Sequence, residues 1–93
     1  MTYSAKLIAD IGKAPKTLGT SLGRWAVHLD FPVIRIALVT GATRQSVYNW
    51  FKGGEVFVAY RPIVSALIQV MQTSCNAEEV WIRSVKLFNL NEQ

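Results

Sequence analysis

The feature that most constrains the fold of this 93-residue chain is a glycine between two short segments whose apolar residues have helical spacing. The pattern consists of a small residue four positions before the glycine and apolar residues six and nine positions after it: Ala37, Gly41, Val47 and Trp50. A small residue lets two helices approach closely, and glycine can take the left-handed conformation of a tight turn. The later apolar residues would anchor the second helix on a core. The spacing therefore predicts two helices, at about 32–40 and 44–52, joined by a tight turn.

Helical spacing extends over most of the remaining chain. Apolar residues recur every three or four positions over 17–29, over about 61–73, and again after Asn76. This is the period of a helix with one buried face. Together with the two helices around Gly41, it predicts an all-α fold, a compact bundle of about five short helices.

Two interpretations remain open for the segment 1–16, which we expect to precede a single domain at 17–90. Three apolar residues after Ser4 could line a short helix before Gly12 and Pro15 end it. The segment also carries three lysines. It is either a basic arm that lies along phosphates or a solvated tail whose apolar residues pack on the domain.

Side chains able to bind backbone N–H groups mark several predicted helix ends. Asp30 is a residue type that can cap the helix beginning near Pro32, and Thr43 can cap the helix after the turn. Asn76, with Glu79 three positions later, resembles a capping box. These residues predict where the second, third and fifth helices begin.

Several classes of protein do not fit the composition. No apolar run reaches ~18 residues, so no membrane span is expected. The first residues lack the apolar core of a signal peptide, and the single cysteine, Cys75, excludes an internal disulfide, so we expect a cytoplasmic protein. His28 is the only histidine, and no catalytic, phosphate-binding or dinucleotide-binding motif occurs. We therefore expect no enzymatic activity, no metal site and no cofactor.

The charge is distributed unevenly along the chain. Residues 1–62 carry eight Lys/Arg against three Asp/Glu, a net charge of +5, whereas residues 63–93 carry a net charge of −1. A basic region followed by a near-neutral one favours an anionic partner that faces the first two thirds of the chain.

The segment Gly41–Gly54, with the sequence GATRQSVYNWFKGG, resembles the lambda-repressor-like helix-turn-helix family of the Cro/repressor type. The resemblance extends more loosely over residues 17–75 and does not include 1–16. It implies that the helix at 44–52 enters the major groove of double-stranded DNA, with its N-terminal residues toward the base edges.

The polar residues of this helix have the chemistry that the resemblance implies. Arg44 can bridge O6 and N7 of guanine, Gln45 can pair with N6 and N7 of adenine, and Asn49 can do the same or bond a phosphate. We expect these three residues to contact bases. Five other residues are better suited to the DNA backbone, where contacts position a protein without reading sequence: Thr43, Ser46, Tyr48, Lys52 and Arg61.

The helix before the turn departs from the family pattern. In the family, the exposed face of this helix is usually polar. In this chain, residues 33–39 read VIRIALV, and Arg35 is their only charged residue. Two explanations are open. We favour the first, in which the N-terminal segment or the apolar loop at 56–58 covers this face. In the second, the face binds a partner protein. The helix after Asn76 is also too apolar for one narrow buried face, so it either wraps over the core or offers a surface for self-association.

Three functions remain open. The first is that of a small bacterial or phage transcriptional regulator, repressor-like, which binds a specific DNA sequence. We expect this regulator to be a dimer, because two symmetric half-sites multiply specificity. The second is a protein-interaction module, an adaptor or inhibitor, that reuses the same fold. The third is an accessory DNA-binding subunit of a recombination or packaging complex. RNA polymerase or another protein is a further candidate partner, through the apolar second or fifth predicted helix.

Overall fold

A computed structural model describes residues 2–90 of the chain. This part contains six α-helices, one short 3₁₀ helix at Val58–Tyr60 and no strand. The α-helices are α1 (Ala5–Lys13), α2 (Leu18–Leu29), α3 (Val33–Thr40), α4 (Arg44–Phe51), α5 (Arg61–Gln72) and α6 (Ala77–Leu87). The predicted all-α bundle is confirmed. It has one more helix than expected, because residues within the N-terminal segment form α1.

Side-chain caps begin four of the six helices. The oxygens of Ser4, Thr17 and Thr43 each accept from the backbone N–H group three residues later, as does Asn76, whose bond to the Glu79 N–H is 2.9 Å long. Such bonds satisfy N–H groups that have no partner within the helix. The expected caps at Thr43 and Asn76 are therefore confirmed, but the capping box is not, because the Glu79 carboxylate accepts from the N–H of Cys75 and not from that of Asn76.

The expectation that Asp30 caps α3 is wrong. Asp30 is the C-cap of α2, in the left-handed conformation with φ 57°, and Pro32 occupies the N-cap position of α3 without a side-chain cap. The Asp30 carboxylate instead accepts a hydrogen bond of 2.8 Å from the backbone N–H of Thr2. Sequence spacing cannot reveal this use of the side chain, because its partner lies 28 residues away.

The N-terminal segment is fixed to the domain. Tyr3 is buried, and its hydroxyl donates to the backbone carbonyl of Phe31. Its ring lies 6.0 Å from that of Phe51 at the end of α4. Burial raises the pKa of the Tyr3 phenol well above its usual range, so the hydroxyl keeps its proton at alkaline pH values where an exposed tyrosine would ionise. Together with buried Ile11 on α1, these contacts make residues 2–13 part of the folded domain.

Helix α2 lies at the centre of the fold and packs against α4 and α5. Two of its glycines allow α4 to approach closely. A Cβ atom at Gly19 would lie 2.5 Å from the carbonyl oxygen of Trp50, and one at Gly23 would lie 3.0 Å from the ring of Phe51. The first of these distances leaves no room for a side chain without a backbone shift. The position of α4 is thus set by direct contact with the backbone of α2.

Each of the six α-helices contributes to a single core. Its buried members include Ile11 from α1, Leu22 from α2, Ile36 from α3, Val47 from α4, Leu67 and Met71 from α5, and Val80 from α6. Helix α5 packs against α2, α3 and α6, whereas α4 is held by α2 and α3.

Candidate nucleic-acid interface

The turn between α3 and α4 consists of residues 41–43. Gly41 has a φ of 79°, and its N–H donates a 2.9 Å hydrogen bond to the carbonyl of Ala37. A Cβ atom at Gly41 would meet nothing within 4 Å, so the backbone angle, and not lack of space, requires glycine here. Ala37 itself is half-buried. The chain thus turns where the spacing of the sequence predicts.

One face of α4 is buried in the core. Val47 and Phe51 are fully buried, and Trp50 is 4% exposed. The Trp50 ring also lies 5.4 Å from that of Tyr60, which follows the loop after α4. The Gly54 N–H donates to the carbonyl of Asn49 at 2.8 Å. These contacts hold the last turn of α4 and leave its opposite face toward solvent.

The residues expected to contact bases lie on that solvent face. Arg44, Gln45 and Asn49 are all exposed. The amide nitrogen of Gln45 donates to the amide oxygen of Asn49 at 3.2 Å, as residues four apart on a helix can do. The two amides therefore support each other's orientation, while the remaining amide groups are directed at solvent.

Thr43 and Ser46 form the polar start of α4. The hydroxyl of Thr43 accepts from the Ser46 N–H at 3.1 Å and donates to the Ser46 hydroxyl oxygen at 3.0 Å. The hydroxyl hydrogen of Thr43 is thus engaged within the cap. The hydrogen of the Ser46 hydroxyl is not used in this pair, which makes Ser46 the better phosphate donor of the two.

Tyr48 and Lys52 continue along the edge of α4 that begins with Arg44. The three residues are spaced by four, so they share one side of the helix. Tyr48 is 36% exposed, and its ring meets the edge of the Phe51 ring at 6.4 Å. Lys52 is exposed at the C-cap. This edge therefore carries two cations and one aromatic hydroxyl.

Arg61, also expected at the DNA backbone, is bound to the loop between α4 and α5. Its Nε donates to the carbonyl of Val56 at 2.9 Å, and its guanidinium lies 3.5 Å from the carboxylate of Glu55. The side chain is exposed, so the ion pair is weak. Arg61 orders this loop, and its contact with phosphate stays a prediction.

The expected cover over the outer face of α3 is absent in the described residues. Ile34 is 54% exposed and Leu38 is 59% exposed. In the loop only Val56 is buried, whereas Phe57 and Val58 are 70% and 72% exposed. The favoured interpretation, that the loop or the N-terminal segment covers this face, is therefore wrong for Ile34 and Leu38.

Helix α6 packs beside α3 through a charged residue. The Arg35 guanidinium lies 4.8 Å from the centre of the Trp81 ring and 3.4 Å from the carboxylate of Glu78. Trp81 is buried by this arrangement, but Ile82 remains 50% exposed. The apolar excess of α6 is thus divided between a core face and a solvent face.

Two features next to α4 cannot be predicted from the sequence: the burial of Tyr3 and the contacts of two glycines on α2. Tyr3 lies alone in a short segment, so no periodicity signals its burial. The spacing of Gly19 and Gly23 indicates a smooth strip on α2, but their contact with Trp50 and Phe51 depends on the packing of distant elements.

The described residues hold no group of three or more His, Cys, Asp or Glu side chains that could bind a metal ion. None of the helices in this part of the chain is both long and apolar enough to cross a membrane. Comparison with protein-family models, with curated proteins and with solved structures finds no match.

Proposed function

We propose that this protein binds double-stranded DNA in a sequence-specific manner, as a small transcriptional regulator of bacterial or phage type that acts in the cytoplasm. In this proposal α4 is the recognition helix. Arg44, Gln45 and Asn49 contact base edges, while residues on its flanks contact phosphates. The proposal includes no catalytic step and no cofactor.

The observation that carries the proposal is the division of α4 into two faces. Its inner face is fixed by Val47, Trp50 and Phe51, and by the direct contact of Gly19 with the Trp50 backbone. Its outer face presents one guanidinium and two amides, which are the groups that read guanine and adenine in the major groove. A rigid helix with these groups on its exposed side is suited to direct readout of sequence.

We expect two copies to act together on DNA. The Cα atoms of the molecule extend over 33 Å along the longest principal axis and 22 Å along the shortest. Half-sites that lie one helical turn apart are separated by about 34–36 Å. Two copies could therefore occupy adjacent half-sites side by side on one face of the duplex, and a two-fold symmetric site would double the number of bases read.

The decisive experiment is selection of bound duplexes from a random pool, followed by titration of the selected duplex with variants. Arg44→Ala and Gln45→Ala should each relax specificity at one base position by about 1–3 kcal/mol. Lys52→Ala should weaken binding to all sequences about equally. It should also reduce the slope of the logarithm of the binding constant against the logarithm of salt concentration by the contribution of about one phosphate contact.

Gln69→Ala and Lys86→Ala are matched controls, because both side chains are exposed on α5 and α6, away from α4. They should leave affinity and specificity unchanged. A double variant Arg44→Ala/Asn49→Ala that binds the selected duplex as tightly as the wild type would overturn the assignment of α4.

The exposed apolar residues Ile34 and Leu38 favour a second candidate, a protein-interaction module that uses α3 together with the outer face of α6. Whether the protein is a DNA-binding regulator or an interaction module, RNA polymerase or another protein would be the partner of this apolar surface. An accessory DNA-binding subunit of a recombination or packaging complex would share the DNA contacts of α4. Absence of binding to any duplex at low salt would favour the module, whereas binding without a selected site would favour the accessory subunit.

A further inference from the structure

A groove between α1 and α4 adds a feature that the proposed recognition helix does not contain by itself. It is lined by Ser4, Lys6, Leu7 and Asp10 from the N-terminal segment and by Tyr48 and Lys52 from α4. Lys6 and Lys52 are both exposed, and they lie on opposite sides of the groove. Two cations from different helices therefore border one open, shallow groove.

The groove is held in place by the contacts that anchor α1. Tyr3 is buried against Phe51 and bonded to the carbonyl of Phe31, and Ile11 is 2% exposed at the other end of the helix. Ser4 caps α1 through a 3.1 Å bond from the Leu7 N–H. Lys6 therefore projects from a fixed helix and lines the groove beside α4.

The position of the groove relates it to the proposed DNA surface. Arg44, Tyr48 and Lys52 follow one another at intervals of four along the edge of α4, and the groove borders the last two. When the outer face of α4 lies in a major groove, its edges face the sugar-phosphate backbones that bound that groove. The space between Lys6 and Lys52 then lies along one backbone.

We propose that α1 and α4 together hold a phosphodiester group of duplex DNA, with Lys6 and Lys52 on either side of the phosphate. The Tyr48 hydroxyl, in the same groove, can donate to it. This inference rests on the proposed DNA-binding function and adds Lys6 as a contact residue. It also gives Asp10 an opposing role, because its carboxylate lines the same groove and repels a phosphate.

The test compares Lys6→Gln with Lys13→Gln, a matched control on α1 that is exposed but does not line the groove. Loss of one phosphate contact lowers the salt exponent by about 0.9, which corresponds to roughly eightfold weaker binding at ~0.1 M salt. Lys6→Gln should show this loss on selected and random duplexes alike. Lys13→Gln should behave as the wild type, and Asp10→Asn should bind all duplexes more tightly.

A scan with single methylphosphonate substitutions then locates the phosphate. Neutralising the contacted phosphate should weaken the wild type most, and should weaken Lys6→Gln by less, because only Lys52 and Tyr48 then remain to contact it. If Arg44→Ala/Asn49→Ala loses binding while Lys6→Gln matches Lys13→Gln, the α1 contact is overturned and α4 remains the recognition helix. If the wild type binds no duplex, both proposals are overturned.

Discussion

At the level of single residues, Tyr3 couples the N-terminal segment to the folded domain. In the unfolded chain its phenol ionises near pH 10, whereas burial raises the pKa in the folded protein. Above that pH the unfolded state binds fewer protons than the folded state. The stabilising contribution is therefore complete below pH 10 and is lost as the pH rises, by about 1.4 kcal/mol per pH unit.

The variant Tyr3→Phe isolates this effect, because it keeps the ring and removes the ionisable hydroxyl. We expect the unfolding free energy of the wild type to fall more steeply than that of the variant between about pH 10 and about pH 12. Urea unfolding across this range measures both slopes, and the difference between them cancels the lysines that both proteins share. Equal slopes would mean that the phenol is not buried.

Ser84 gives a second prediction at this scale. It is fully buried on α6, and its hydroxyl has no hydrogen-bond partner among the described residues. Ser84→Ala should therefore be as stable as the wild type or about 1 kcal/mol more stable, since it removes an unpaired polar group. Urea denaturation is the measurement.

Thr20 is the matched control for Ser84. It is equally buried, but its hydroxyl donates to the Pro15 carbonyl at 2.9 Å and accepts from the Thr17 N–H at 2.7 Å. Thr20→Val should cost about 1–3 kcal/mol, because it leaves both backbone groups unpaired. A similar loss for both variants would show that Ser84 has a partner.

At the level of helices, two glycines in neighbouring elements should respond in opposite ways to alanine. A Cβ atom at Gly12 on α1 would meet nothing within 4 Å, so Gly12→Ala should stabilise the protein by up to about 1 kcal/mol through helix propensity. At Gly19 the added methyl would lie 2.5 Å from the carbonyl oxygen of Trp50. Gly19→Ala should therefore destabilise by about 1–3 kcal/mol or more.

Thermal or chemical denaturation of the two variants measures this contrast. Gly12→Ala also serves as the control for the general benefit of alanine in a helix. If Gly19→Ala were as stable as Gly12→Ala, α2 and α4 would not be in direct backbone contact, and the fixed position of α4 would lose its physical basis.

At the scale of the whole molecule, the single core predicts one cooperative unfolding transition. Trp25, Trp50 and Trp81 lie on α2, α4 and α6, so each reports on a different part of the bundle. Variants that keep one tryptophan, with phenylalanine at the other two positions, should show the same urea midpoint by fluorescence as by far-ultraviolet circular dichroism within each variant. An earlier fluorescence transition for Trp81 would mean that α6 unfolds separately.

Much of the candidate site follows from local sequence rules. The turn at Gly41 needs a left-handed residue, the cap at Thr43 needs a short side-chain oxygen, and the inward position of Val47 and Trp50 follows from helical spacing. These features depend on residues within a few positions of one another. The sequence by itself therefore determined the helices on either side of the turn and the face that α4 exposes.

Only the tertiary structure decided what lies around these helices. Asp30 binds Thr2 and not the start of α3, and α1 packs against α2 and borders a groove with α4, because partners far apart in sequence meet in the fold. Spacing identifies a helix face as apolar, but it does not specify which element covers it. Arg35 brings α6 onto one side of α3 through Trp81, and Ile34 is left exposed because no other described segment packs over it.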